Sequence, residues 1–200
     1  MKLVCKEEVV QFDGQPSVEQ IIQKINELLA NNYYFSHLVV DGEEVYEEPE
    51  NYLLSNSEYI NELEISVKTE KEFINDMLLT AEEYIKRARM ELGVLADGFY
   101  QNPNAEQWNH FAQMMEGLQW LNQVIGHIDR VKEKPKNHNE YIKLNSKLQM
   151  EIRSLHEAVE NEDYVLTGDL IQYELVPIYE ALEIEITTTI DTEGYRHDLN

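Results

Sequence analysis

The residues best placed to form a site lie in Thr167-Gly168-Asp169-Leu170-Ile171-Gln172-Tyr173-Glu174-Leu175-Val176-Pro177, where a glycine and a proline interrupt one apolar-periodic stretch. Pro177 has no amide hydrogen and leaves the Tyr173 carbonyl without its usual helical donor, which predicts a kink. Glu174 falls beside the apolar stripe, near Ile171 and Ile178. Gly168, Asp169, Tyr173 and Glu174 would then make a polar notch for a ligand or a partner's backbone. The plainer alternative is a bent helix packed around Trp108 or Trp120, with Glu174 paired to Arg87 or Arg89.

Other chemistry finds less to work with. A helical di-metal site needs inward carboxylates and Glu-x-x-His pairs. The helical region has no such pair, and His110, His127 and His156 each flank an apolar stripe rather than fill it, so no metal and no cofactor is expected. Cys5 is the only cysteine, which excludes an internal disulfide and a cysteine-rich zinc site and points to a reducing compartment. Neither a Gly-x-Ser-x-Gly turn nor a Gly-x-x-x-x-Gly-Lys loop occurs, so hydrolase and nucleotide-triphosphatase chemistry lack their parts. Glu82, Glu83 and Glu91 lie opposite the apolar face of their helix and read as wet surface. Catalysis is not expected.

Charge narrows the partners. The 200 residues carry a net charge of −23, with 4 basic against 14 acidic residues up to position 69 and 12 against 25 beyond it. Such a surface repels phosphate backbones and anionic lipid headgroups and attracts basic proteins. No nucleic acid and no membrane is expected as a partner. The basic runs at Lys86, Arg87 and Arg89, and at Arg130, Lys132, Lys134 and Lys136, read as local balance for neighbouring carboxylates, the second also suiting a helix C-terminus. MKLVCKEEVVQF has no basic segment followed by a long apolar core, and no apolar run reaches the roughly 20 residues that span a bilayer, so a cytoplasmic location is expected.

Two unlike regions would position the notch. In residues 1–69, Leu3 and Cys5 alternate in one strand and Val9, Val10 and Phe12 suit a second. Ser17 with Gln20 forms a capping box for a helix whose Val18, Ile21, Ile22, Ile25, Leu28 and Leu29 share one face. After a turn at Asn31-Asn32 a strand runs through Phe35 and Leu38 to Val40, Asp41-Gly42 turns a hairpin, and Val45 and Tyr46 return. Pro49–Ser57 reads as a polar connection to a last strand of Leu63, Ile65 and Val67. This order resembles the ubiquitin-like β-grasp superfamily. The resemblance implies a sheet wrapped around one helix and a fused domain that docks another protein; with no paired-glycine tail, a conjugated modifier is not implied.

From a second capping box at Thr69-Glu70-Lys71-Glu72 the periodicity becomes helical. Leu78, Ala81, Ile85, Ala88, Leu92, Leu95 and Phe99 predict one helix; Trp108, Phe111, Met115, Leu118, Leu121, Ile125 and Ile128 a second; Tyr141, Leu144, Leu148, Ile152, Leu155 and Val159 a third; Leu166, Leu170, Ile171, Leu175, Ile178 and Leu182 a fourth. Short loops between them imply an antiparallel four-helix bundle over residues 70–187, followed by a flexible polar tail at 188–200. The expected fold class is therefore α+β. Gly93, Gly98, Gly117 and Gly126 interrupt the first two helices and imply either close helix contact or room for a bound molecule. The leading functional expectation is an acidic, non-catalytic adaptor or chaperone-like protein that binds another protein, with a homodimer of paired long helices as a variant. The alternative is a ligand-binding or metal-binding bundle with its site between the glycine-interrupted helices.

Overall fold

The computed structural model describes residues 1–30 and 33–196 and is α+β, a five-stranded mixed sheet followed by helices. It divides into two compact units, Met1–Phe73 and Ile74–Asn200. The turn expected at Asn31-Asn32 lies outside the described residues.

In the first unit β1 (Lys2–Cys5) and β2 (Glu8–Gln11) form an antiparallel hairpin. Helix α1 (Val18–Leu29) starts at the Ser17–Gln20 capping box, with both reciprocal bonds made. β3 (Tyr33–Val40) turns through Asp41 and Gly42, both at positive φ, into β4 (Glu43–Val45). β5 (Glu62–Thr69) lies parallel to β1 and antiparallel to β3, which gives the order β2-β1-β5-β3-β4. Strand alternation sends Leu3, Cys5, Leu38, Val40, Leu63 and Ile65 to one face, where they meet Ile21, Ile25 and Leu28 of α1. The Asp41 carboxylate accepts from the Glu62 amide at 2.8 Å, tying the hairpin tip to the start of β5. Pro49–Ser57 is not a polar connection: Pro49–Asn56 forms helix α2, and Ser57–Tyr59 a further 3₁₀ turn. Pro49 has its φ already set for a first helical turn, and burial of Leu53 supplies the packing.

In the second region β5 runs directly into α3 (Glu70–Tyr100), and α4 (Ala105–Arg130) begins at an Asn104–Gln107 capping box. Helix α5 (His138–Glu160) packs along α4 and along the last helical segment. That segment is α6 (Tyr164–Asp169), a π-helical stretch (Leu170–Leu175) and α7 (Val176–Glu193) without a break. The π stretch stands where Pro177 predicts a kink. Widening the turn relieves the clash between the proline ring and the carbonyl four residues back, and the Val176 amide donates to Ile171, five residues earlier.

Three expectations need correction. Residues 188–193 are helix rather than flexible tail, since Ile186, Thr189 and Ile190 are buried and continue the stripe past Leu182. The threonine run hides this periodicity, because Thr189 is polar yet buried, its hydroxyl donating to Asn137. Tyr195 and Arg196 are bonded to α3, while residues 197–200 lie outside the described part. Glu82 is not wet surface but only 4% exposed. In α4 and α5 the buried positions are Met114, Glu151 and Ala158 rather than Met115, Ile152 and Val159.

Candidate functional site

The strict three-four alternation of α5, Tyr141, Leu144, Leu148, Glu151, Leu155, Ala158, places a glutamate in its buried stripe. On the facing chain, Gly168 at the end of α6 is buried because Tyr100, the last residue of α3, lies flat in the place of its missing side chain; a Cβ there would come 2.7 Å from Tyr100 Cε1. The Tyr100 hydroxyl donates to Asp169 Oδ1 at 2.7 Å. That bond, with the negative field of Asp169, Tyr173 and Asp97, pushes the phenol up to about 12. Tyr173, in the π stretch, is 66% exposed, and Val165 and Leu166 are exposed on α6. The four expected residues thus separate into a buried seat, Gly168 with Asp169 above it, and two exposed side chains, Tyr173 and Glu174.

Glu151 is only 5% exposed, and burial followed by the charge of Glu174 raises its carboxyl above the ordinary value. Among the described residues it has neither hydrogen bond nor ion pair. Glu174 is not paired with Arg87 or Arg89: Arg89 turns to Glu183 at 3.0 Å and Glu180 at 3.9 Å, and Arg87 Nε donates to the Glu83 carbonyl.

A second cluster is closed. Glu82 accepts a two-pronged Arg196 guanidinium at 2.9 and 3.0 Å, the Thr187 hydroxyl at 2.6 Å and Lys86 at 3.0 Å. The arginine bonds, chief among these contacts, hold its carboxyl down to about 2. Beside it Asn75 exchanges two bonds of 3.0 Å with the Tyr195 backbone. Tyr84 sits in the place a Gly117 side chain would fill, packs edge-on against Trp120 at 5.6 Å, and meets the Tyr179 hydroxyl at 3.3 Å. The room opened by Gly98, Gly117 and Gly168 is taken by Gln107, Tyr84 and Tyr100.

Between α3 and α4 runs an open groove of about 700 Å³, floored by Leu92, Leu95 and Met114 and edged by Tyr84, Arg87 and His110. His110 and His156 are exposed and His127 is half-buried. Among the described residues no three of His, Cys, Asp and Glu gather closely enough to hold a metal, and no helix is long and apolar enough to cross a membrane. Burial raises the Cys5 thiol, with Glu8 adding to it, so this cysteine is a packed core residue.

Tyr100, Glu151, Glu82 and Arg196 were not among the expected site residues. The alternation from Tyr141 could have found Glu151. Nothing local links Tyr100 to Gly168, 68 positions away, or Arg196 to Glu82.

No curated protein and no solved structure matches the chain. One family model does, that of a domain of unknown function, DUF8042, over residues 76–185, a span that holds Glu82, Tyr100, Glu151, Gly168 and Glu174. It covers more than half of the 200 residues, and the chain belongs to the DUF8042 family.

Proposed function

We propose that this is a non-catalytic protein-docking module, adaptor or chaperone-like in use, whose contact surface is the outer side of α6 and the π stretch. The observation that carries the reading is the juxtaposition of exposed Val165, Leu166 and Tyr173 with Asp169, whose one bond among the described residues is to Tyr100. Aromatic side chains beside apolar ones supply large contact area at small entropic cost, and the acids select basic partners. A π turn inside an α-helix often accompanies function, since it carries a poorer hydrogen-bond pattern for a conserved purpose.

The supporting architecture is read as two domains. The order β2-β1-β5-β3-β4 with one helix across it supports a ubiquitin-like β-grasp domain over residues 1–69. The lengths of α3, α4 and α5, with α6, the π stretch and α7 as a fourth helix, support an antiparallel four-helix bundle beyond it. A photo-crosslinking residue at position 173 tests the docking surface in the native cell extract. One stoichiometric adduct is expected from position 173 and none from exposed Met150; equal labelling from both positions, or none from 173, overturns the reading.

The groove between α3 and α4 favours a second reading, a small apolar ligand held between glycine-interrupted helices. A rise in melting temperature with long-chain carboxylates, abolished by Leu95→Glu at the groove floor, would establish it in place of the first.

A further inference from the structure

Glu151 occupies a buried-stripe position of α5 that a leucine would fill more favourably. A buried carboxylate without a counter-charge is among the least favourable arrangements in a protein interior. Here a second acid, Glu174 of the π stretch, stands near enough to repel it. Among the described residues no cation offsets it. From Glu157 to Tyr195, the whole of the facing helix, there is no Lys, Arg or His. Lys147, one turn earlier on α5, is exposed and makes no ion pair with Glu151 among the described residues. Among the described residues the fully enclosed side-chain oxygens without a hydrogen bond are those of Asn145 and of Glu183, the latter ion-paired with Arg89, so the Glu151 oxygens keep an opening to solvent although the residue is almost wholly covered. Glu174 is exposed on the π stretch, which packs against α5, and its charge reaches Glu151.

We infer that Glu151 and Glu174 form a receptor for a single cationic side chain, an arginine or lysine presented by the protein that docks on the π stretch. The inference rests on the docking reading and adds the chemistry of the partner's anchor residue. A guanidinium carried on an aliphatic stem matches both features: its head can pair with carboxylates, and its stem can lie against the exposed Tyr173 ring beside Glu174.

The test uses the full chain labelled with carbon-13 at glutamate carboxyl carbons, with n-butylguanidinium as probe and n-butylurea as its neutral isostere. The Glu151 resonance, identified by its loss in Glu151→Gln, is expected to move saturably with the guanidinium and not with the urea. Glu174→Gln should weaken that response about tenfold. A Glu151 signal that stays still, or drifts without saturation in step with exposed Glu157, overturns the receptor. Melting of Glu151→Gln gives an independent readout, because a residue kept for binding should leave the free protein more stable when neutralised, and a lower melting temperature instead overturns the inference. The crosslink from position 173 separates the two levels. If it forms equally in Glu151→Gln, the surface docks a partner but the receptor is wrong; if it fails in the unaltered chain while the guanidinium binds saturably, the receptor stands and the docking surface does not.

Discussion

The helical region solves the same problem in two opposite ways. At the N-terminal half of α3 a tyrosine fills a glycine's place on α4, and a buried glutamate is held by an arginine, a lysine and a threonine. At the C-terminal end of α3 a tyrosine again fills a glycine's place, now on α6, but Glu151, the buried glutamate of α5, has no ion pair among the described residues and feels the charge of another acid, Glu174. Packing is of one kind in both places, and the counter-charge differs. On the receptor proposed above, burial alone does not separate a structural carboxylate from a functional one; what the chain provides to neutralise it does.

Breaking the closed cluster should have the largest effect. Glu82→Ala strands the Arg196 fork, Lys86 and the Thr187 hydroxyl at once, and should cost about 3 kcal/mol in urea unfolding, the lower part of the range for broken buried pairs because Arg196 is partly exposed. If Glu82→Ala and Glu151→Ala lose the same amount, the contrast between the clusters fails.

Acidity sharpens the contrast because the two carboxyls are displaced in opposite directions. Glu82 is held down to about 2 from an ordinary 4.5, so its contribution is complete above pH 4.5 and fades as the pH falls toward 2. Glu151 is raised, so its charge penalises the fold at neutral pH, and the penalty disappears below 4.5, where the group is protonated in both states. Unfolding titrations at neutral and acid pH should show the loss in Glu82→Gln shrinking with acid, and the gain in Glu151→Gln, about 1 kcal/mol at pH 7, vanishing over the same descent.

Much of the frame behind this contrast was legible in the sequence. Ser17 with Gln20, Thr69 with Glu72 and Asp41-Gly42 are local devices, set by residues within three positions of each other, and they stand where spacing predicts. Pro177 announced an interruption, though not that a π turn would absorb it. The site was less legible for a physical reason: its defining contacts, Tyr100 on Gly168 and Arg196 on Glu82, join residues far apart in the chain, and pattern reading sees only neighbours on one helix. Glu151 was missed differently. Ile152 beside it is the more apolar residue, and choosing by hydropathy over strict alternation turned the face of α5 by one position.

The two glycine seats extend the comparison to packing. Tyr84 is hemmed by Trp120 and Tyr179, so a methyl group at Gly117 meets a ring with little freedom to move, and Gly117→Ala should cost about 2 kcal/mol in thermal unfolding. Tyr100 is 38% exposed and can swing outward, so Gly168→Ala should cost about half as much. Comparable losses would show that Tyr100 is held as firmly as Tyr84, contrary to an adaptable surface.

The smallest effect isolates the hydroxyl. Tyr100→Phe keeps the ring over Gly168 and removes only the 2.7 Å bond to Asp169, an exposed contact whose loss water can largely repair, so stability should change by no more than about 0.5 kcal/mol. Function should respond more. With no phenol to occupy it, Asp169 becomes a fully available acceptor, and the crosslink from position 173 should strengthen if basic partners dock there. A loss of several tenths beyond this bound, with no change in crosslinking, would make the Tyr100–Asp169 pair a structural tie like that of Glu82 with Arg196, and the open region would then differ from the closed one at Glu151 alone.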